Sequence, residues 1–303
     1  MIGKAIQSLK LAEYASKEYY GKPLLVCYSG GKDSDVVVKL CEIGGVDCEF
    51  VHSLTTADAP QTVMHVKRTF ARLEREGFKC TVKLPYFKGE RTTMWKLIPQ
   101  KKYPPTRLAR YCCEVLKETS GDGRICALGV RADESQQRKG RAEFETIKKD
   151  KTLRGRWDFD AANDAIESAK KLPEVFDCNL VTNMKKKGKT VVNPIIGWSD
   201  DDVWGFIREE GIDTCELYEC GYKRVGCVCC PLGGYASMRR EGADFPKYKN
   251  AYIRAFGKMI DSRLSDGKKC DWKDGEEVWH WWVRDGVIPG QSSMQFEYDV
   301  VNT

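Results

Sequence analysis

Six consecutive residues, Ser29-Gly30-Gly31-Lys32-Asp33-Ser34, combine side chains that suit an anion. Two glycines permit a tight turn and a close backbone approach to a ligand, Ser29 and Ser34 bring hydroxyls, and Lys32 adds a point charge. An apolar run precedes the segment and a helical pattern follows it, so the free N–H groups at the helix start and the helix dipole face the same ligand. The order differs from the Walker A loop, which has four residues between its glycines before Gly-Lys-Ser/Thr, and from the three-glycine dinucleotide fingerprint. It reads as a phosphate cradle of another kind. A second chemistry-bearing group is Cys227-Val228-Cys229-Cys230. Its Cys-x-x-Cys pair brings two thiolates to one side of a turn, where they can grip a metal centre that needs two further ligands.

These residues need a frame, and the chain alternates strand-like apolar runs with helical patterns. Leu24–Tyr28, Glu49–Leu54, Lys79–Leu84, Ile125–Val130 and Val191–Ile196 predict five strands. A helix is expected from Ser34 to Ile43. Pro60 opens another, whose apolar positions Val63, Val66, Phe70 and Leu73 recur at helical spacing before Gly77 closes it. Ser199 with Asp202 three residues on resembles a capping box, and Gly211 ends the helix that follows. The expectation is an α/β fold with a doubly wound, mostly parallel five-stranded sheet. Residues 139–157 are crowded with Lys and Arg and predict a solvated arm or a lid. From Ala243 onward the chain turns helical and aromatic, a stripe (Tyr248, Tyr252, Phe256, Met259 and Leu264, then Trp279, Trp281 and Trp282) that reads as helix packing rather than a stacking platform.

The 303 residues are 42% hydrophobic and 31% charged with a formal net charge of +6, which excludes collagenous, mucin-like and wholly disordered chains. Apolar runs such as Leu24–Tyr28 fall far short of the roughly 20 residues that span a bilayer, and the start of the sequence lacks a signal-peptide apolar block. The expectation is a soluble, cytoplasmic protein with no membrane partner. Fourteen cysteines in a reducing compartment point to metal or redox chemistry, although Cys27, Cys41 and Cys126 sit in apolar patterns as small hydrophobes.

Ser29–Ser34 matches the pyrophosphate loop of the PP-loop ATP pyrophosphatases, and four more blocks follow in order. They are Thr55-Thr56-Ala57-Asp58-Ala59-Pro60-Gln61-Thr62, Gly129-Val130-Arg131-Ala132-Asp133-Glu134-Ser135-Gln136-Gln137-Arg138, Asn193–Trp198 running into Asp201–Trp204, and Leu217–Tyr218 leading into Gly221–Cys227. Together they resemble the phosphoadenosine phosphosulfate (PAPS) reductase family within that superfamily, over about Leu24 to Leu232. The resemblance implies a HUP-like, adenine nucleotide alpha hydrolase-like domain over residues 1–232, a Cys-rich loop at 212–234 and a helical C-terminal extension over 233–303. It implies an adenine-nucleotide site in which Ser29, Gly30, Gly31, Lys32, Asp33 and Ser34 hold phosphates and Thr55 and Asp58 line the nucleoside. Gly129, Arg131, Glu134, Ser135 and Arg138 would close over the anionic end, with Lys32, Asp33 and Arg131 carrying catalysis. Forked guanidinium hydrogen bonds suit phosphate or sulfate, and Glu134 can orient an arginine; a plain surface ion pair is the alternative for Glu134.

The resemblance also implies that Cys112 and Cys113 join Cys227 and Cys230 around a [4Fe-4S] cluster. Cys215, Cys220, Cys227 and Cys230, all within one loop, are the alternative as a zinc site, and a metal-free reading stays open. With ATP as substrate, Lys32, Arg131 and Mg²⁺, which Asp33 could help place, would neutralise charge during adenylation ahead of sulfur transfer from a sulfur donor. With PAPS as substrate, a cysteine would attack sulfur, sulfite would leave and a thioredoxin-like reductant would reset the enzyme. The reductases resembled here carry that nucleophile in a C-terminal Glu-Cys-Gly-containing motif. Gly290–Thr303 holds no cysteine, which leaves Cys229 or Cys270 as candidates and favours adenylation. Lys139, Arg141, Lys148, Lys149, Lys151, Arg154, Arg156 and Lys185-Lys186-Lys187 suit a nucleic-acid substrate. A non-catalytic nucleotide-binding subunit of a modification complex is the reading from a third class.

Overall fold

The computed structural model describes residues 1–118, 121, 124–134, 138–146 and 190–285. Ser135, the basic residues from Lys148 to Arg156, the Lys185-Lys186-Lys187 tract and the final stretch Gly290–Thr303 lie outside the described residues. The described chain divides into two compact units, residues 1–91 with 113–227 and residues 92–112 with 228–303.

The first unit is an α/β fold on a mostly parallel sheet. Helix α1 (Ile2–Tyr20) leads into β1 (Leu24–Cys27), α2 (Lys32–Gly44), β2 (Cys48–Ser53), α3 (Pro60–Arg75) and β3 (Lys79–Lys83). A small hairpin of β4 (Tyr86–Phe87) and β5 (Glu90–Arg91) follows. The sheet is completed by β6 (Cys126–Leu128), β7 (Phe144–Thr146) and β8 (Thr190–Val192), in the order β3-β2-β1-β6-β8-β7. Every pairing is parallel except that of β7 with β8. All five expected strands are present. The sheet has six because Phe144–Thr146, inside the segment expected to be a solvated arm, pairs with Thr190–Val192 as an antiparallel edge.

Alternation along β1 sorts its side chains between the two faces of the sheet. Leu24 and Val26 enter the main core with Val36, Val37 and Leu40 of α2, Phe50, and Val66, Phe70 and Leu73 of α3. Leu25 instead joins Val51, Cys126 and Val191. Strand order runs outward from β1 in one direction to β2 and β3 and in the other to β6 and β8. The β1–β6 boundary is therefore a topological switch point, where open parallel sheets form their ligand crevice beyond the strand ends. The loops that leave β1 and β6 carry Ser29–Gly31 and Gly129–Arg131. Helix α6 (Asp200–Glu209) starts with the expected capping box: the Asp202 N–H donates to Ser199 Oγ at 3.1 Å, and the Ser199 N–H donates to Asp202 Oδ2 at 2.8 Å.

The second unit is helical. It joins α4 (Met94–Lys101) to α7 (Tyr235–Asp244), α8 (Pro246–Ser265) and α9 (Gly275–Val283); the short α5 (Tyr111–Leu116) spans the division at Cys112 and Cys113. Tyr252 sits at its centre, with ring centroids 4.8 Å from both Trp95 and Trp282. The Tyr252 hydroxyl donates to Val228 O at 3.0 Å, and Trp282 Nε1 donates to Pro105 O at 2.6 Å. Tyr252, Phe256, Met259, Trp279 and Trp282 of the stripe are therefore helix packing, whereas Leu264 lies exposed. No described helix is long and apolar enough to cross a membrane.

Candidate functional site

Tyr28 follows β1 directly, and Gly30 takes φ +77° so that the chain can reverse into α2. A side chain at Gly30 would put Cβ 2.9 Å from Val66 Cγ2, so α3 closes on the turn from one side. The turn is braced internally. Ser34 Oγ donates to Gly31 O at 2.7 Å, and the Ser29 and Ser34 hydroxyls lie 3.1 Å apart. From the other side Gly129 allows the β6 loop to dock against the first turn of α2. A Cβ there would stand 2.8 Å from the carbonyl carbon and oxygen of Asp33 and 3.0 Å from Ser34 N, all backbone atoms with nowhere to go.

The two cations of the cradle lie beside this turn and are both deeply buried, Lys32 with 4% and Arg131 with 3% of its surface exposed. Lys32 Nζ lies 2.9 Å from Asp200 Oδ1 and 3.4 Å from Asp33 Oδ2. Arg131 pairs through Nε with Asp33 Oδ1 and through Nη2 with Asp200 Oδ1, the latter at 2.8 Å. Arg131 Nη1 is buried and has no hydrogen-bond partner among the described residues. Burial pushes the Asp200 carboxyl up, but its contacts with Lys32 and Arg131 outweigh burial and hold it below the ordinary carboxylate range. The Lys32 backbone N–H donates to the Tyr218 hydroxyl at 3.0 Å, and the Trp204 ring stands edge-on to Tyr218 at 5.3 Å.

On the far side of α2 lies a second polar cluster. Tyr28 Oη donates to Asp35 Oδ1 at 2.6 Å and stands 3.0 Å from the Thr69 hydroxyl, while His65 Nε2 lies 2.9 Å from the same Asp35 oxygen. Burial is the main reason that Asp35 and Tyr28 both titrate above their ordinary values. Because Tyr28 precedes the turn and Asp35 follows it, this hydrogen bond clasps the loop at its base.

The remaining expected residues take several places. Thr55 and Asp58 are buried and build a turn: the Thr55 N–H donates to Asp58 Oδ2 at 2.8 Å, Thr56 takes φ +65°, and Asp58 forms an antiparallel bridge with Cys227. Cys227 Sγ donates to Thr55 Oγ1 at 3.3 Å. Glu134 accepts from the Arg131 N–H at 3.3 Å and pairs with Arg138, four residues on. Among the described residues no three His, Cys, Asp or Glu side chains are gathered as a metal ion requires. Burial, followed by the nearby Glu241, pushes the Cys229 thiol far up, and its Sγ donates to Met238 O at 3.5 Å. A thiol held protonated in that way is a poor nucleophile. Asp200, Tyr28, Asp35 and His65 were not among the residues that the sequence singled out.

A family model for the phosphoadenosine phosphosulfate reductase domain matches residues 23–232. The chain belongs to this PAPS reductase family. The match begins beside β1 and ends just past the Cys-x-x-Cys pair, so it contains the whole cradle. Among curated relatives, an uncharacterised protein of Methanocaldococcus jannaschii is 27% identical over 75% of this chain and 40% of its own length. A second protein from the same organism is 27% identical over 77% of this chain and 46% of its own length, so the chain spans less than half of either relative. The adenosine 5'-phosphosulfate reductase of Streptomyces coelicolor is 41% identical over 46 residues, which are 15% of this chain and 20% of that one. Among solved structures, the PAPS reductase of Candida auris in a phosphate complex aligns over 74% of this chain and 88% of its own at 14% identity, with a TM-score of 0.47.

Proposed function

We propose that this PAPS reductase family member is an adenylating enzyme that acts on ATP ahead of a sulfur-transfer step. An oxygen of the acceptor bonds to the α-phosphorus as the bond to the bridging β-phosphate oxygen breaks, and pyrophosphate leaves into the Ser29–Ser34 turn. The chain's own part is positioning and charge neutralisation, which supply most of the catalysis in phosphoryl-type transfers. The observation that carries the reading is the convergence of Lys32 and Arg131, both buried, on one point beside a helix N-terminus at the sheet's switch point. Gly129 supports it, because its missing side chain is what lets the Arg131 loop reach that turn.

Sulfonucleotide reduction is the second reading, favoured by the likeness to adenosine 5'-phosphosulfate reductase over 46 residues. Burial of Cys229 weighs against it, since it withholds one of the two candidate nucleophiles. A cluster on Cys112, Cys113, Cys227 and Cys230 rests on the motif resemblance alone, and nothing in the adenylation step draws on it. Thiolation of nucleic acid rests on the basic composition of residues 139–156 and 185–187. The deciding experiment incubates anaerobically purified protein separately with α-labelled ATP and with PAPS. Adenylate and pyrophosphate from ATP, lost in Lys32→Ala, are expected. Sulfite from PAPS and no pyrophosphate from ATP would establish the reductase instead. Nucleotide binding without either product would leave the non-catalytic subunit.

A further inference from the structure

The cradle described above is electrically balanced by its own side chains. Lys32 and Arg131 supply two positive charges, and Asp33 and Asp200 supply two negative ones, all within direct contact. The two carboxylates are not equivalent. Asp33 belongs to the first turn of α2 and is mostly buried, whereas the Asp200 side chain is 53% exposed at the first position of α6. A single oxygen, Asp200 Oδ1, receives both Lys32 Nζ at 2.9 Å and Arg131 Nη2 at 2.8 Å. A non-bridging phosphate oxygen bound by this pair of cations would be received in the same way. Arg131 Nη1 meanwhile is buried with no acceptor among the described residues, so the desolvation of that N–H group stays uncompensated until an acceptor arrives.

We propose that Asp200 is a built-in stand-in for a ligand phosphate: its carboxylate occupies the anion position between Lys32 and Arg131, and a polyphosphate binds by displacing it. Asp200 thereby sets the affinity threshold of the site and discriminates in favour of ligands with enough charge to compete. The inference rests on the reading of the cradle as a phosphate site. Three features make displacement feasible. The side chain reaches solvent by rotating outward, the helix N-terminus still stabilises its charge there, and Arg131 keeps Asp33 as a partner throughout. The incoming anion also reaches the idle Nη1 donor, which Asp200 leaves unused.

The test measures binding of inorganic pyrophosphate to the full chain by calorimetry, for wild type and for Asp200→Asn, Asp200→Ala and Asp201→Asn. Asp201 is exposed in the same helical turn and removes the same formal charge, so it reports general electrostatics. Asp200→Asn and Asp200→Ala should tighten pyrophosphate binding by about tenfold, the scale of one charge-assisted contact that no longer has to be broken. Asp201→Asn should change it less than about twofold. Combining Asp200→Asn with Lys32→Ala should erase the gain, because the two side chains act on one another. Unchanged or weaker binding in both Asp200 variants, with circular dichroism matching wild type, overturns the proposal while leaving the phosphate site intact. Pyrophosphate and ATP binding that is absent in wild type and in every variant overturns the proposal together with the site itself.

Discussion

Asp33 and Asp35 are two residues apart in one helical turn, and they teach what separates a working charge from a structural one. Asp33 turns toward Lys32 and Arg131, where a second carboxylate competes for the same cations and one guanidinium nitrogen stays idle. Asp35 turns into the interior, where Tyr28 and His65 both approach a single oxygen. The first cluster has partners to exchange and an exposed member that can leave. The second also keeps two atoms, Asp35 Oδ2 and His65 Nδ1, without a hydrogen-bond partner among the described residues, but Tyr28, Asp35 and His65 are all buried, so its bonds hold a shape. On the proposed reading, positions two apart on α2 thus carry ligand chemistry on one flank and loop architecture on the other.

Substitutions can break that contrast. The largest effect belongs to Lys32→Ala, which should lower pyrophosphate release from ATP by about 10²–10³-fold, the scale of one lost electrostatic contact to developing charge, with circular dichroism confirming that the variant is folded at the assay temperature. Full turnover in that variant would erase the functional flank. His65→Ala should act in the opposite sense, costing about 3 kcal/mol of unfolding free energy in urea because it strips a buried carboxylate of one of its two donors. If its stability matched wild type, the buried cluster would hold nothing. Gly129→Ala stands between them. Its Cβ would press on the Asp33 and Ser34 backbone, so about 2 kcal/mol of stability and most nucleotide affinity should go together, read by parallel melts and calorimetry.

The smallest effect is a pair of opposed pH slopes. Burial raises the Asp35 carboxyl, so the folded state takes up its proton more readily than the unfolded state. Relative to Asp35→Asn, wild type should gain stability as the pH falls from neutral toward the ordinary value of 3.8. Asp200 is held down by Lys32 and Arg131 against the upward push of burial. Its contribution is present above 3.8 and is lost as the pH falls through its lowered value, so wild type should lose stability relative to Asp200→Asn in acid. Denaturant midpoints across that range would show both slopes, and slopes of the same sign would contradict the assignment.

Much of the frame is legible in the residues alone. The five runs became strands because each is short and bounded within a few residues by Gly, Pro, Asn or Asp. The Ser199–Asp202 box formed because its two hydrogen bonds are local to four residues. Phe144–Thr146 escaped notice because a three-residue edge strand leaves no periodicity in a stretch dominated by charge, and its partner lies more than 40 positions away. Asp200 escaped for a related reason. The cap explains that turn locally, whereas its ion pairs reach back to Arg131 and Lys32, at a sequence distance no periodic pattern encodes. The membership of Thr92–Cys112 in the helical unit is likewise written in tertiary packing, through partners such as the carbonyl that Trp282 caps.

The hydrogen bond from Tyr28 to Asp35 fastens the strand end and the helix start to each other at the root of the turn. A hoop pinned at both feet has little liberty to reshape itself around a guest. On the proposed reading, accommodation falls to the rim opposite, the opening residues of α6, and the pace of ligand entry and departure would be set by Asp200, some 170 positions downstream of the loop it faces.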